Sequence, residues 1–157
     1  IGMLAVEVPT FREVAAWSTP VARPYKEGDP LTGCDDYVRT MHTDSGLAAE
    51  LPGGMPRKEA ELAAVEFYNA HFAGRKVYLG GSNPDFDRRW LDVYMPTLAK
   101  KIHYRNLDVN SLFILKEYLV GREKSGTKHR ALEDCRQAVR AVHDHFGLMR
   151  DLFGAAK

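Results

Sequence analysis

A short apolar run stops at a turn, and a proline-started helix follows at once: Lys76-Val77-Tyr78-Leu79-Gly80, then Ser82-Asn83-Pro84. This junction constrains the fold more than any other feature of the chain. β-Branched and aromatic residues favour an extended segment, and glycine closes it. A cap-type residue before proline starts a helix, because the N–H that proline lacks is one the first turn leaves unbonded anyway. A strand that feeds directly into a helix is the unit of α/β folds.

The alternation continues on both sides. Residues 1–8 are an apolar run ending at Pro9 and read as a buried strand, with residues 14–21 as its hairpin partner. Residues 23–33 form a turn region, residues 32–38 open a short helix, and residues 46–56, with three glycines and two prolines, form a loop. Residues 57–72 predict a helix whose inner stripe is Leu62, Val65, Tyr68 and Phe72, stopped by Gly74. The helix after Pro84 has the stripe Phe86, Trp90, Val93 or Tyr94, and Thr97 or Leu98, with a kink or early end at Pro96. Residues 104–109 predict a strand, Asn110 caps a helix to about residue 119, and residues 121–128 form a polar, basic loop. The last helix spans about 130–146, with Cys135, Ala138, Val139, Val142 and Phe146 inward and Gly147 at its end. Strands and helices in this order predict one α/β domain over residues 1–157.

A net charge of +1 excludes a broadly cationic protein that coats long nucleic acid. It leaves room for a local basic patch, and a short nucleic acid needs few phosphate contacts. Cys34 and Cys135 are the only cysteines and form no C-x-x-C, so a structural zinc site is not expected. Two reduced thiols suit a cytoplasmic protein. The apolar opening is too short for a membrane span, and no membrane partner is expected. A chain that opens inside a core strand without a starting methionine suggests that further residues precede Ile1.

Three residues combine into possible chemistry. His129 stands five before Asp134 where a loop becomes a helix, and Asp87 lies in the first turn of an earlier helix, one position off the stripe headed by Phe86 and Trp90. Each also has a purely structural role open to it: the aspartates favour the helix dipole, and the histidine is an exposed loop residue. Taken together they suit metal-dependent phosphodiester cleavage. That reaction needs several carboxylates around two ions about 4 Å apart, and Mg²⁺ and Mn²⁺ prefer such oxygen ligands. A histidine with a pKa near the working pH can take the proton of the attacking water.

The run Asp87-Arg88-Arg89-Trp90-Leu91, then Tyr94-Met95-Pro96, then His103-Tyr104-Arg105-Asn106-Leu107-Asp108-Val109 resembles the oligoribonuclease family. Upstream, His42-Thr43-Asp44-Ser45-Gly46-Leu47 is similar to that family's H-T-x-S-G-L segment, and His129-Arg130-Ala131-Leu132-Glu133-Asp134 to the motif with its catalytic histidine. The blocks agree in order from Ile1 to Phe146. The resemblance implies a ribonuclease H-like three-layer domain, with a mixed central sheet flanked by helices. It implies a DEDD-type 3′→5′ exonuclease that hydrolyses short single-stranded RNA to 5′-mononucleotides with two Mg²⁺ or Mn²⁺ ions. Asp87 and Asp134 are then metal-binding carboxylates and His129 the general base. Tyr37 falls where an aromatic residue helps bind nucleotide, and His42, Ser45 and Leu47 fall in a segment lining the substrate pocket. Tyr104 and Arg105 match residues brought to the active site, the tyrosine from the partner subunit, which implies a homodimer.

Two departures accompany the resemblance. The family's opening Asp-x-Glu motif aligns ahead of Ile1, so its strand and two carboxylates are expected there rather than in residues 1–8. After Leu107-Asp108-Val109 the family has serine and threonine that help hold the terminal phosphate, whereas this chain has Asn110-Ser111. A DNA-directed or phage exonuclease of the same superfamily, and a catalytically inactive nucleic-acid-binding relative, stay open as alternatives.

Overall fold

The computed structural model describes residues 1–8, 10–22, 28–121 and 130–154. His129, the expected general base, lies outside the described residues, as does most of the basic loop before it. The fold is α/β, as the alternation predicts. The opening run forms β1 (Gly2–Glu7), paired antiparallel with β2 (Arg12–Ser18). The expected hairpin is therefore present, with a register slip between Ala5 and Val6. After it come α1 (Asp36–Asp44), capped by the Asp35 carboxylate accepting from Val38 N, and the short α2 (Leu47–Glu50). The region expected to be only loop thus holds α2 and a 3₁₀ turn, Leu51–Gly53.

Helix α3 (Arg57–Phe72) has the expected bounds and most of the expected inner face: Tyr68 is in the core and Val65 and Phe72 pack against it. Ala60, Ala64 and Tyr68 are buried, while Leu62 is 63 % exposed. Small alanines let the helix approach its neighbours closely, so size complementarity rather than hydrophobicity picks the face. Tyr68 completes this seam, its hydroxyl donating to Lys101 O at 2.8 Å.

Strand β3 (Tyr78–Gly81) leads through Asn83 into α4 (Pro84–Tyr94). The chain breaks at Met95 and resumes as α5 (Pro96–Ala99), so Pro96 ends one helix and starts the next. Strand β4 (His103–Asp108) returns parallel to β3. A parallel pair needs a crossover of this kind, and α4 with α5 supplies it. Strand and crossover are thus as predicted, and so is part of the α4 stripe: Trp90 packs against the core and Leu98 is buried. Its inward residues are Pro84, Leu91, Met95 and Leu98, whereas Phe86 is 63 % exposed and Val93 and Tyr94 are exposed too. Pro84, Leu91, Met95 and Leu98 recur at helical steps with one gap, and the gap is filled by Asp87 and Arg88. At that gap Asp87 is solvent-exposed and Arg88 half-buried.

Helix α6 (Val109–Val120) is capped by Asp108, whose carboxylate accepts from Asn110 N, so Asn110 sits inside the first turn and is not the cap. Helix α7 (Ala131–Phe153) runs past Gly147, which stays helical; the left-handed stop is Gly154, at φ 75°. A mid-helix glycine costs only about 1 kcal/mol against alanine, less than the packing of a long helix supplies. Val142 and His145 are its buried residues, and Phe146, expected inward, is exposed.

The described strands form two two-stranded sheets, one antiparallel and one parallel. Helix α7 packs against β1, β2 and β3 and so spans both. The core gathers Ala60, Ala64, Tyr68, Leu91, Met95, Leu98 and Ala99 between α3, α4 and α5. Among the described residues no helix is long and apolar enough to cross a membrane.

Candidate active site

Asp134 is set by where α7 begins, and three contacts fix that place. First, Gly2 of β1 lies so near the helix that a Cβ there would stand 2.8 Å from Leu132 N and 2.9 Å from Ala131 C, both backbone atoms. Only glycine permits this approach. Second, Arg130 reaches back with both Glu50 carboxylate oxygens at 2.8 Å and Ser45 O at 3.3 Å. One guanidinium nitrogen, Nη2, spans both carboxylate oxygens while Nη1 takes the Ser45 carbonyl, so two elements are tied by one planar group. Third, Arg136 bridges Glu13 of β2 and Glu133 one turn earlier in α7. The Arg130 contact also brings the segment holding His42, Ser45 and Leu47 to the start of α7. Within that segment Ser45 Oγ donates to His42 O at 3.3 Å.

Asp87 is set by the first turn of α4, which is tied to β4 rather than to α7. Arg88 Nη2 donates to His103 O at 2.6 Å and to Asn106 Oδ1 at 2.9 Å. The Asn106 amide in turn donates to Asp85 Oδ1. These bonds hold the helix start, and Asp87 within it, against β4. Asp87 keeps an exposed edge, yet the protein packed around it raises its carboxyl above the usual aspartate range.

Both aspartates act electrostatically on Cys135. Burial pushes the Cys135 thiol up, and the negative fields of Asp87 and then Asp134 push it further. Its Sγ lies 3.8 Å from Gly2 O. Two carboxylates from different helices thus act on one half-buried thiol beside β1. They are hard oxygen donors of the kind that suits Mg²⁺ or Mn²⁺ on one side of a site. Among the described residues no group of three or more His, Cys, Asp or Glu side chains is arranged to hold a metal.

The other expected site residues fall into two places. Asn110 and Ser111 open α6, beside the loop that starts α4: Asn83 N donates to Asp108 Oδ1 at 3.2 Å, and Ser82 Oγ to Asn110 Oδ1 at 2.7 Å. Tyr104 and Arg105 stand on β4 and engage each other, Arg105 Nε donating to the Tyr104 hydroxyl at 3.1 Å. Tyr104 is 73 % exposed, and Tyr37, on α1, is 71 % exposed. Both rings are open to solvent, not part of the core. Sequence reasoning passed over Gly2, Arg88, Arg130 and Ser82, all of which position the candidates. Arg88 and Asp87 carried a readable signal, two charged residues in the one gap of an apolar stripe. The others act across long sequence separations and carried none.

No family model matches the chain. Proteins named oligoribonuclease do. One from Leifsonia xyli is 42 % identical over 124 residues, covering 74 % of this chain and 59 % of the relative, so the match spans about three-fifths of that relative's length. Those of Salmonella typhimurium and Escherichia coli K12 are each 35 % identical over 136 residues, covering 81 % of this chain and 75 % of the relative. With that identity over three-quarters of the relatives' length, the chain belongs to the oligoribonuclease family.

Proposed function

We propose that the protein is a 3′→5′ exonuclease that hydrolyses short single-stranded RNA to 5′-mononucleotides with two Mg²⁺ or Mn²⁺ ions. The observation that carries this reading is the 35–42 % identity to relatives named oligoribonuclease, in a chain where Asp87 and Asp134, on different helices, both act on the Cys135 thiol. Bound divalent ions supply an activated water and charge stabilisation at the scissile phosphate. Asp87 and Asp134 hold the ions, and the raised carboxyl of Asp87 suits a group whose charge is satisfied by a cation. His129 takes the proton of the attacking water. Tyr37 stacks on a base, and His42, Ser45 and Leu47 line the pocket. Asn110 and Ser111 hold the terminal phosphate, with Arg105 as a charged partner. Tyr104, exposed on β4, serves the site of a second copy in a homodimer.

The test is cleavage of 5′-labelled RNA and DNA oligomers of graded length with Mg²⁺, Mn²⁺ or chelator. The expected result is stepwise release of mononucleotides, fastest on the shortest RNA and abolished by chelator. Equal cleavage of long and short substrates, or preference for DNA, would overturn the substrate assignment. Binding without metal-dependent cleavage would overturn the enzyme itself.

A further inference from the structure

Asn110 is held at two points, one by the cap of its own helix and one by a residue of a distant loop. Its backbone N–H donates to Asp108 Oδ1 at 3.0 Å, and its side-chain Oδ1 accepts from Ser82 Oγ at 2.7 Å. Ser82 lies 28 residues earlier, in the loop between β3 and α4. That loop is itself fastened to the same carboxylate, because Asn83 N donates to Asp108 Oδ1 at 3.2 Å. Asn83 adopts φ 58°, a left-handed conformation that asparagine tolerates better than most residues. The result is a closed loop of bonds, Ser82 to Asn110 to Asp108 to Asn83, in which Ser82 and Asn83 are chain neighbours.

The planar amide of asparagine makes this consequential. Its oxygen and nitrogen lie on opposite sides of one carbon, so fixing the oxygen fixes where the NH₂ group points. With Oδ1 occupied by Ser82, Asn110 presents two N–H donors in one direction. A hydroxyl at this position, as the family has, carries a single rotatable donor. An unanchored asparagine would lose rotamer freedom on binding an anion, whereas an anchored one has lost it already.

We propose that Ser82 is a specificity-determining positioning residue, which aims the Asn110 amide at the 5′-terminal phosphate of a dinucleotide. This rests on the reading of Asn110 and Ser111 as the terminal-phosphate subsite. In a 3′→5′ reaction the bond that breaks is the one nearest the 3′ end. On a dinucleotide the remaining phosphate is therefore the 5′-terminal one. Ser82 acts only through Asn110, so its effect belongs to substrates that carry that phosphate.

The experiment compares kcat and KM of the full protein for a dinucleotide with a 5′-phosphate and for the same dinucleotide with a 5′-hydroxyl. Ser82→Ala should raise KM for the phosphorylated substrate about three- to ten-fold, the worth of one hydrogen bond. Its kcat, and KM for the 5′-hydroxyl substrate, should stay at the wild-type values. Ser82→Thr, which keeps the hydroxyl, should restore KM. In an Asn110→Ala background, Ser82→Ala should add nothing. A purely structural role would move both substrates together, and that result, or no effect on either, overturns the proposal. A wild-type protein that gains nothing from the 5′-phosphate overturns the subsite reading and this inference with it. A wild-type preference that survives Ser82→Ala overturns the inference alone.

Discussion

Gly2→Ala is the substitution whose effect the structure predicts most directly. The added methyl would stand 2.8 Å from Leu132 N and 2.9 Å from Ala131 C, where ordinary van der Waals contact begins at 3.4 Å. Both atoms are backbone, and a third contact, to Ala131 Cβ, is at 3.0 Å. No flexible side chain can swing aside. Either β1 or the first turn of α7 must move by roughly half an ångström. β1 is tied along its length to β2, and α7 is tied by Arg130 and Arg136. The strain therefore falls between two anchored elements. Overpacking of this kind costs about 1–3 kcal/mol. At about 2 kcal/mol, the melting temperature of a domain this size falls by about 4–8 °C.

The functional consequence is larger than the loss of stability. Asp134 lies two residues beyond Leu132, so a half-ångström shift of that turn reaches its carboxylate. Catalytic groups tolerate about 0.5 Å, and a displacement of 1 Å can cost about 100-fold in rate. Gly2→Ala should therefore lower kcat by about ten-fold or more at a temperature where the protein is still folded. Thermal melting and initial-rate measurements at 20 °C check both parts. A variant that melts within about 1 °C of wild type and cleaves at the wild-type rate would refute the packing argument.

Asp87→Asn should abolish hydrolysis, yet the metal-free variant should melt at or above the wild-type temperature at pH 7. Burial raises the folded carboxyl, so its ionised form costs stability above the ordinary aspartate pKa, and the amide removes that cost; lower melting would refute this. Glu13 and Glu50 behave oppositely, because Arg136 and Arg130 hold their carboxyls below the usual range. Their contribution is fully present above the unfolded glutamate pKa, near 4.3, and is lost as pH falls through the depressed folded values. Glu13→Gln with Glu50→Gln should flatten the acid limb of a stability-against-pH curve and leave the neutral plateau lower; an unchanged limb would refute it. Tyr68→Phe removes the bond to Lys101 O and should cost about 1 kcal/mol in chemical denaturation, with kcat unchanged. A larger loss of activity than of stability would place Tyr68 outside the role of a core residue.

The sequence made the strand-to-helix junctions legible because proline, glycine and cap residues act locally. The start at Pro84, the break at Pro96 and the hairpin of β1 with β2 all come from such local chemistry. What it revealed only in part is which face of α3 and α4 turns inward, since that depends on the neighbour. In α3 the neighbour admits Ala60 and Ala64 in preference to Leu62, and in α4 it selects Leu91 and Met95 over Phe86 and Val93. The α4 stripe bears most on function. Asp87 falls in the one gap between Pro84 and Leu91, solvent-exposed yet with enough protein around it to raise its carboxyl. An aspartate that only favoured the helix dipole would keep a normal or lowered pKa. The ionised form of Asp87 therefore costs the fold something that a bound cation would offset, and that cost is read as stability, without any assay of cleavage.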